Sequence, residues 1–202
     1  MKTTDWKDKV GAILDVWYPG EEGGNAVAKV LFGAENPSGK LPVTFPIEEG
    51  QLPLAYNHHP TGRGNDYYDL SGEPLYPFGF GLSYTTFEIS DLYLNKAKFT
   101  AKDTIIAKVT IKNTGLKAGS EVVQLYVKDL LASVSRPVIE LKGFQKVYLK
   151  PGESKQVSIE VPVKELQFLD EKMNWIVEKG TYRIFVGNSS KNLPLKQNVE
   201  VE

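Results

Sequence analysis

The residues Pro74-Leu75-Tyr76-Pro77-Phe78-Gly79-Phe80-Gly81-Leu82-Ser83-Tyr84 divide the chain into two unlike halves. Proline fixes φ and removes a backbone donor, so neither proline suits a helix interior or a central strand. Gly79 and Gly81 alternate with Phe78 and Phe80 and let backbone bend or approach closely beside bulky rings. A flexible linker is polar and rich in glycine and serine. This stretch is apolar, so it predicts an ordered connector with Phe78 and Phe80 sandwiched between the two halves.

Before the connector the pattern is α/β. Residues 10–16 (VGAILDV) form a short, mostly apolar run, the signature of a parallel strand covered on both faces. Trp17-Tyr18-Pro19-Gly20 predicts a turn, residues 26–32 (AVAKVLF) a helix, and Gly33 its stop. One strand and one helix cannot bury their apolar faces alone, because a parallel sheet needs several strands and covered faces. The missing strands must therefore come from upstream sequence or from another chain. Residues 47–73 are polar and aromatic with few signs of regular structure. A loop of that length is often functional or tied to a neighbouring domain.

After the connector the pattern changes to period two. Alternating, β-branched runs occur at 87–94, 104–112, 120–128, 140–149, 153–161, 175–177, 180–186 and 196–201, and residues 163–166 read as a helical turn. Short strands at regular spacing with turns between them describe an antiparallel β-sandwich. Trp175, Tyr182, Phe185 and Tyr126 are its expected inter-sheet core. The division expected is 1–73, the end of an α/β domain with a long loop; 74–86, the docked connector; and 87–202, the sandwich.

Composition excludes several classes. With 202 residues and a net charge of −1, the chain has no general field for nucleic acid or an anionic membrane. It has no cysteine, so disulfides and thiolate metal sites are out. No apolar run approaches the ~20 residues of a membrane span. The first ten residues are polar and charged, unlike a signal peptide, so a cytoplasmic location is expected if Met1 is the true start.

The motifs resemble glycoside hydrolase family 3, the β-glucosidase family. They are Ala12-Ile13-Leu14 with Trp17-Tyr18-Pro19-Gly20-Glu21-Glu22-Gly23-Gly24-Asn25-Ala26, then Asn36-Pro37-Ser38-Gly39-Lys40-Leu41-Pro42, then Tyr56-Asn57-His58 with Pro60-Thr61-Gly62-Arg63. The connector continues the series. Gly119-Ser120-Glu121-Val122-Val123-Gln124-Leu125-Tyr126-Val127, Arg136-Pro137 and Leu141-Lys142-Gly143-Phe144 look like that family's fibronectin type III-like domain. Several long motifs in the right order are far more specific than any single one.

The resemblance implies a parent made of an (α/β)8 barrel, an (α/β)6 sandwich domain and the fibronectin-like domain, acting on a terminal, non-reducing β-linked glucoside or oligosaccharide with retention. It places the nucleophilic aspartate in the barrel and the acid/base glutamate before the segment matched here. No catalytic residue, cofactor or metal is therefore expected in these residues, and the chain should be inactive alone. Two alternatives stay open: a carbohydrate-binding or interaction module, and one half of a split enzyme whose barrel is a separate polypeptide.

Retaining hydrolysis needs two carboxyl groups ~5 Å apart. Glu21 and Glu22 are adjacent acids, better explained by the helix N-terminus they precede. The glycines around them lack the dinucleotide spacing. His58 and His59 lack the i, i+4 spacing of a helical zinc pair. Arg63, Tyr67, Tyr68 and Asp69 are the candidate sugar-cleft residues of the parent, because sugars stack on rings and hydrogen-bond to charged groups. Tyr93, Tyr126, Tyr148 and Trp175 are candidate polysaccharide contacts, though strand alternation puts most of them in the core.

Overall fold

The computed structural model describes residues 3–61 and 67–202. Helix α1 (Gly23–Leu31) forms where expected. Gly20, at φ 69°, turns the chain into it, and Gly33, at φ 74°, ends it with an N–H bonded to the Val30 carbonyl. Residues 10–16 do not form a strand. An apolar run becomes a strand only when another strand meets its N–H and C=O groups, and no neighbour does so here. Val10, Ile13, Leu14 and Val16 are consequently exposed, as are Trp17, Leu31 and Phe32 around the helix.

The second half is the expected sandwich. Its strands are β1 (Phe87–Leu94), β2 (Lys98–Phe99), β3 (Thr104–Asn113), β4 (Gly119–Asp129), β5 (Glu140–Leu149), β6 (Ser154–Pro162), β7 (Phe168–Leu169), β8 (Trp175–Ile176), β9 (Gly180–Gly187) and β10 (Leu195–Val201). One sheet has the order β1-β3-β6, the other β2-β10-β9-β4-β5, and β7-β8 is a separate two-stranded ribbon. All pairs are antiparallel except β2 with β10. Alternation drives the assembly. Ile105, Val109 and Ile111 of β3 and Val157, Ile159 and Val161 of β6 point inward, against Val123, Leu125 and Ile184 of the facing sheet. Burying one such side chain stabilises the fold by roughly 1.5–3 kcal/mol.

Of the four rings expected between the sheets, only Tyr182 is there. Trp175 is 65% exposed, because its ribbon stands apart from both sheets. Tyr126 and half-buried Phe185, paired across β4 and β9, lie outside the inter-sheet cluster. Tyr126 is fully buried by Tyr56, which meets it edge-on at 5.9 Å and stacks on Phe78 at 4.2 Å.

The connector is ordered, as its composition requires. Gly79 donates to the Leu41 carbonyl and Leu41 to the Phe80 carbonyl, while Phe45 and Tyr76 form a bridge. On the other side, Gln124 of β4 donates from Nε2 to the Gly79 carbonyl at 3.1 Å and to the Asn188 carbonyl at 2.7 Å. Its Oε1 accepts from the Tyr126 hydroxyl at 2.6 Å. Gly79 has φ 79°, and a Cβ there would collide with the Gln124 amide, so this approach is open only to glycine. Phe78 and Phe80 are half-buried rather than enclosed. Each has one ring face stacked, on Tyr56 and Tyr76 respectively.

Two polar clusters fasten the first half to the sandwich. Lys40 pairs with Glu121 of β4 at 2.6 Å, with both side chains nearly buried, and also donates to the Gly81 carbonyl. Asn36 donates to the Ala118 carbonyl and accepts from Ser83 and the Tyr84 N–H. The loop from 47 to 73 is closed at its neck by one buried side chain. Gln51 accepts from the N–H groups of Ile47 and Glu48 and donates to the carbonyls of Ser71 and Glu73.

Candidate functional site

The sugar-cleft candidates are not drawn together by the described structure. Arg63 lies outside the described residues. Tyr67 is half exposed, Tyr68 is fully exposed, and Asp69 is exposed beside them on the same loop. The histidines tie the loop to the sandwich: the His58 carbonyl accepts from the Val138 N–H, and His59 Nδ1 lies 3.1 Å from Ser135 Oγ. Among the described residues no group of three or more His, Asp or Glu side chains could hold a metal. Of the four proposed polysaccharide contacts, Tyr126 is buried. Tyr93, Tyr148 and Trp175 are exposed, contrary to the expectation that most would be core. Tyr93 lies on β1 and Tyr148 on β5, both at sheet edges, and Trp175 on the detached ribbon.

A cleft of about 290 Å³ opens where three distant segments converge: the loop at His59, the β4–β5 connection at Ser135 and Arg136, and the β7–β8 ribbon with Trp175. Arg136 organises it. Its Nη2 donates to Glu140 Oε2 at 2.9 Å, and its guanidinium lies 4.2 Å from the centre of the Phe168 ring, a cation–π contact. Lys142 approaches the other Glu140 oxygen at 3.3 Å and donates to the Glu165 carbonyl. Gln167, half-buried in the wall, makes no side-chain hydrogen bond among the described residues.

Burial pushes the Glu140 carboxyl up, but the Arg136 hydrogen bond and the charges of Lys142 and Arg136 outweigh it and leave it below its ordinary 4.5. A carboxyl depressed in the folded state contributes stability that is complete above its unfolded value and is lost as pH falls through the folded one. Glu140→Gln is therefore expected to destabilise at neutral pH and to flatten the acid limb of the stability curve. Urea titrations across the acid range check this, and parallel curves for the two proteins would contradict it.

Among its described walls the cleft does not present the carboxylate pair that retaining hydrolysis needs. Glu140 is the one carboxylate among its described walls, and two cations hold it, so it lacks both a second carboxyl partner and the freedom to shuttle a proton. Sequence reasoning missed the cleft because its walls come from positions near 59, 136 and 170. The legible signal was Trp175 in a run too short to hide it.

Residues 1–84 match the glycosyl hydrolase family 3 C-terminal domain, and residues 121–190 match the fibronectin type III-like domain. A periplasmic β-glucosidase of Salmonella typhimurium is 46% identical over 189 residues, covering 89% of this chain and 25% of that protein. The thermostable β-glucosidase B of Acetivibrio thermocellus is 43% identical over 97% of this chain and 28% of its own length. The crystal structure of the Listeria innocua β-glucosidase in complex with glucose superposes on the whole chain with a TM-score of 0.94 at 39% identity, using 29% of that protein. The chain thus spans about a quarter of the length of these relatives. Collinear motifs, two successive domain matches and a superposition over every element lead to one assignment: the chain belongs to glycoside hydrolase family 3 and corresponds to that family's C-terminal region.

Proposed function

We propose that the chain is the non-catalytic C-terminal part of a retaining, β-glucosidase-like exo-glycosidase, one that removes terminal β-linked glucosyl residues. The observation that carries this reading is the uncovered apolar face of the first half. Val10, Ile13, Leu14, Val16 and Trp17, and Leu31 and Phe32 at the end of the helix, are all exposed, on residues the sequence patterns as a strand and helix of a parallel sheet. Exposed apolar side chains gathered in one stretch of sequence are the mark of an interaction surface. The remainder of the α/β domain is the occupant it fits, since the relatives are about four times longer. The chain's role is to complete that domain through residues 1–73 and to brace it, via the connector at 74–86, with the sandwich at 87–202. A barrel-bearing polypeptide encoded separately would serve equally as the missing layer. Tyr67, Tyr68 and Asp69, with Arg63, are proposed to border the sugar cleft of the assembled enzyme.

The purified chain should not hydrolyse an aryl β-glucoside. Activity should appear when it is joined to, or co-expressed with, the barrel and the preceding part of the α/β domain from a relative. In that assembly Tyr68→Ala should raise KM more than it lowers kcat. Turnover by the chain alone would overturn the non-catalytic reading, and unchanged kinetics of the Tyr68 variant would remove the loop from the cleft.

A further inference from the structure

We propose that the cleft beside Trp175 binds a neutral pyranose saccharide. The inference does not depend on the catalytic reading above. It begins with the ribbon. Leu169 and Trp175 are directly paired, so they share one face of it and make an apolar shelf that the fold leaves in solvent. A tryptophan is normally well buried, and one left 65% exposed contributes little to folding. Its ring is available to the C–H face of a sugar.

The polar groups supply the other half of recognition. The Gln167 carboxamide and His59 Nε2 make no hydrogen bonds among the described residues, although both residues line the cleft. Together they offer acceptors and donors for hydroxyl groups. Ser135 Oγ and the Glu140 carboxylate, fixed by Arg136 and Lys142, are already oriented. A fixed hydrogen-bonding group costs little further ordering when a ligand arrives.

Charge and size narrow the ligand class. Arg136 is paired with Glu140 across 2.9 Å, and Lys142, behind the wall, is held by Glu140 and the Glu165 carbonyl, so each cation near the cleft already has an acidic or carbonyl partner rather than standing unpaired for a phosphate or carboxylate. The volume, about 290 Å³, lies at the small end of ligand pockets, which suits one or two sugar rings rather than a chain. An open cleft of this size predicts weak binding, with Kd on the order of 1 mM.

The test is a titration of the isotope-labelled 202-residue chain with cellobiose, glucose and glucose 6-phosphate, read by NMR at the Trp175 indole N–H and the Gln167 side-chain amide. Both signals should move saturably with the two neutral sugars. Trp175→Ala, at an exposed position where loss of the ring leaves the core intact, should weaken binding about tenfold or more. Trp175→Tyr should retain most of it, and Gln167→Ala should weaken it without changing the fold. No saturable shift, or shifts that persist in Trp175→Ala, would overturn the site. Tighter binding of glucose 6-phosphate than of glucose would overturn the neutral class.

Discussion

Lys40→Ala should cost the chain about 3–5 kcal/mol, because it leaves the Glu121 carboxylate buried without its counter-ion. Glu121 is only 6% exposed at its side chain and Lys40 13%, so water cannot take over the solvation either group gave up. The consequence is local as well as global. Lys40 belongs to the strip that receives the connector, and Glu121 to the sandwich strand beneath it, so the substitution should also loosen residues 36–46 in hydrogen exchange. Lys40→Met with Glu121→Leu removes both charges at similar volume and should recover part of the loss. Recovery should remain incomplete, since Glu121 also accepts from the Val122 N–H at 2.7 Å and from Asn188. Denaturant titrations of the three proteins decide the matter. A loss below about 1 kcal/mol for Lys40→Ala would mean that the pair behaves like an ordinary surface bridge.

Asn113→Ala should be comparably damaging, at about 3–5 kcal/mol, from the partners it strands. The side chain is completely buried at the end of β3. Its Oδ1 accepts from Thr85 Oγ1 at 2.7 Å and from the Gly115 N–H at 3.0 Å, and its Nδ2 donates to the carbonyls of Lys117 and Leu149. One amide thereby joins the connector's exit, the β3–β4 turn and the end of β5. Alanine fills less space and offers none of the four bonds. Asn113→Asp should be worse still at neutral pH, since it presents a negative charge to two carbonyl oxygens that had received a donor. Thermal unfolding of both variants tests this. A small effect of the alanine substitution would show that water replaces the amide.

How far the sequence revealed this structure depended on whether each segment supplies its own neighbours. β3 and β6 were legible because each alternates and each finds its partner within the chain. In β4 the residues Val123 to Val127 are all buried, which hides the alternation. Its inner residues meet the core, while Gln124 and Tyr126 lie beneath the connector and the Tyr56 ring, a cover that strand periodicity does not announce. Residues 10–16 have the composition of a buried strand and none of its environment, so the pattern was readable but the strand does not form. Trp175 failed in the opposite sense. Its chemistry suggested core, but β8 contains only two residues, and Trp175 lies on the exposed face of the ribbon it forms with β7, while Phe168 takes the buried one. The cleft could not be read at all, because it depends on how the His59 loop, Arg136 and the ribbon meet in space.

The Gln51 neck bears on how such a chain can diversify. Because four hydrogen bonds from one side chain gather Ile47, Glu48, Ser71 and Glu73, the frame is closed before the intervening loop begins. Doubling the length of a loop whose ends are already held costs only about 0.6 kcal/mol in closure entropy. The segment beyond the neck can therefore lengthen at little cost, provided that Tyr56 keeps its place against Phe78 and Tyr126 and that His58 and His59 keep their contacts with the sandwich.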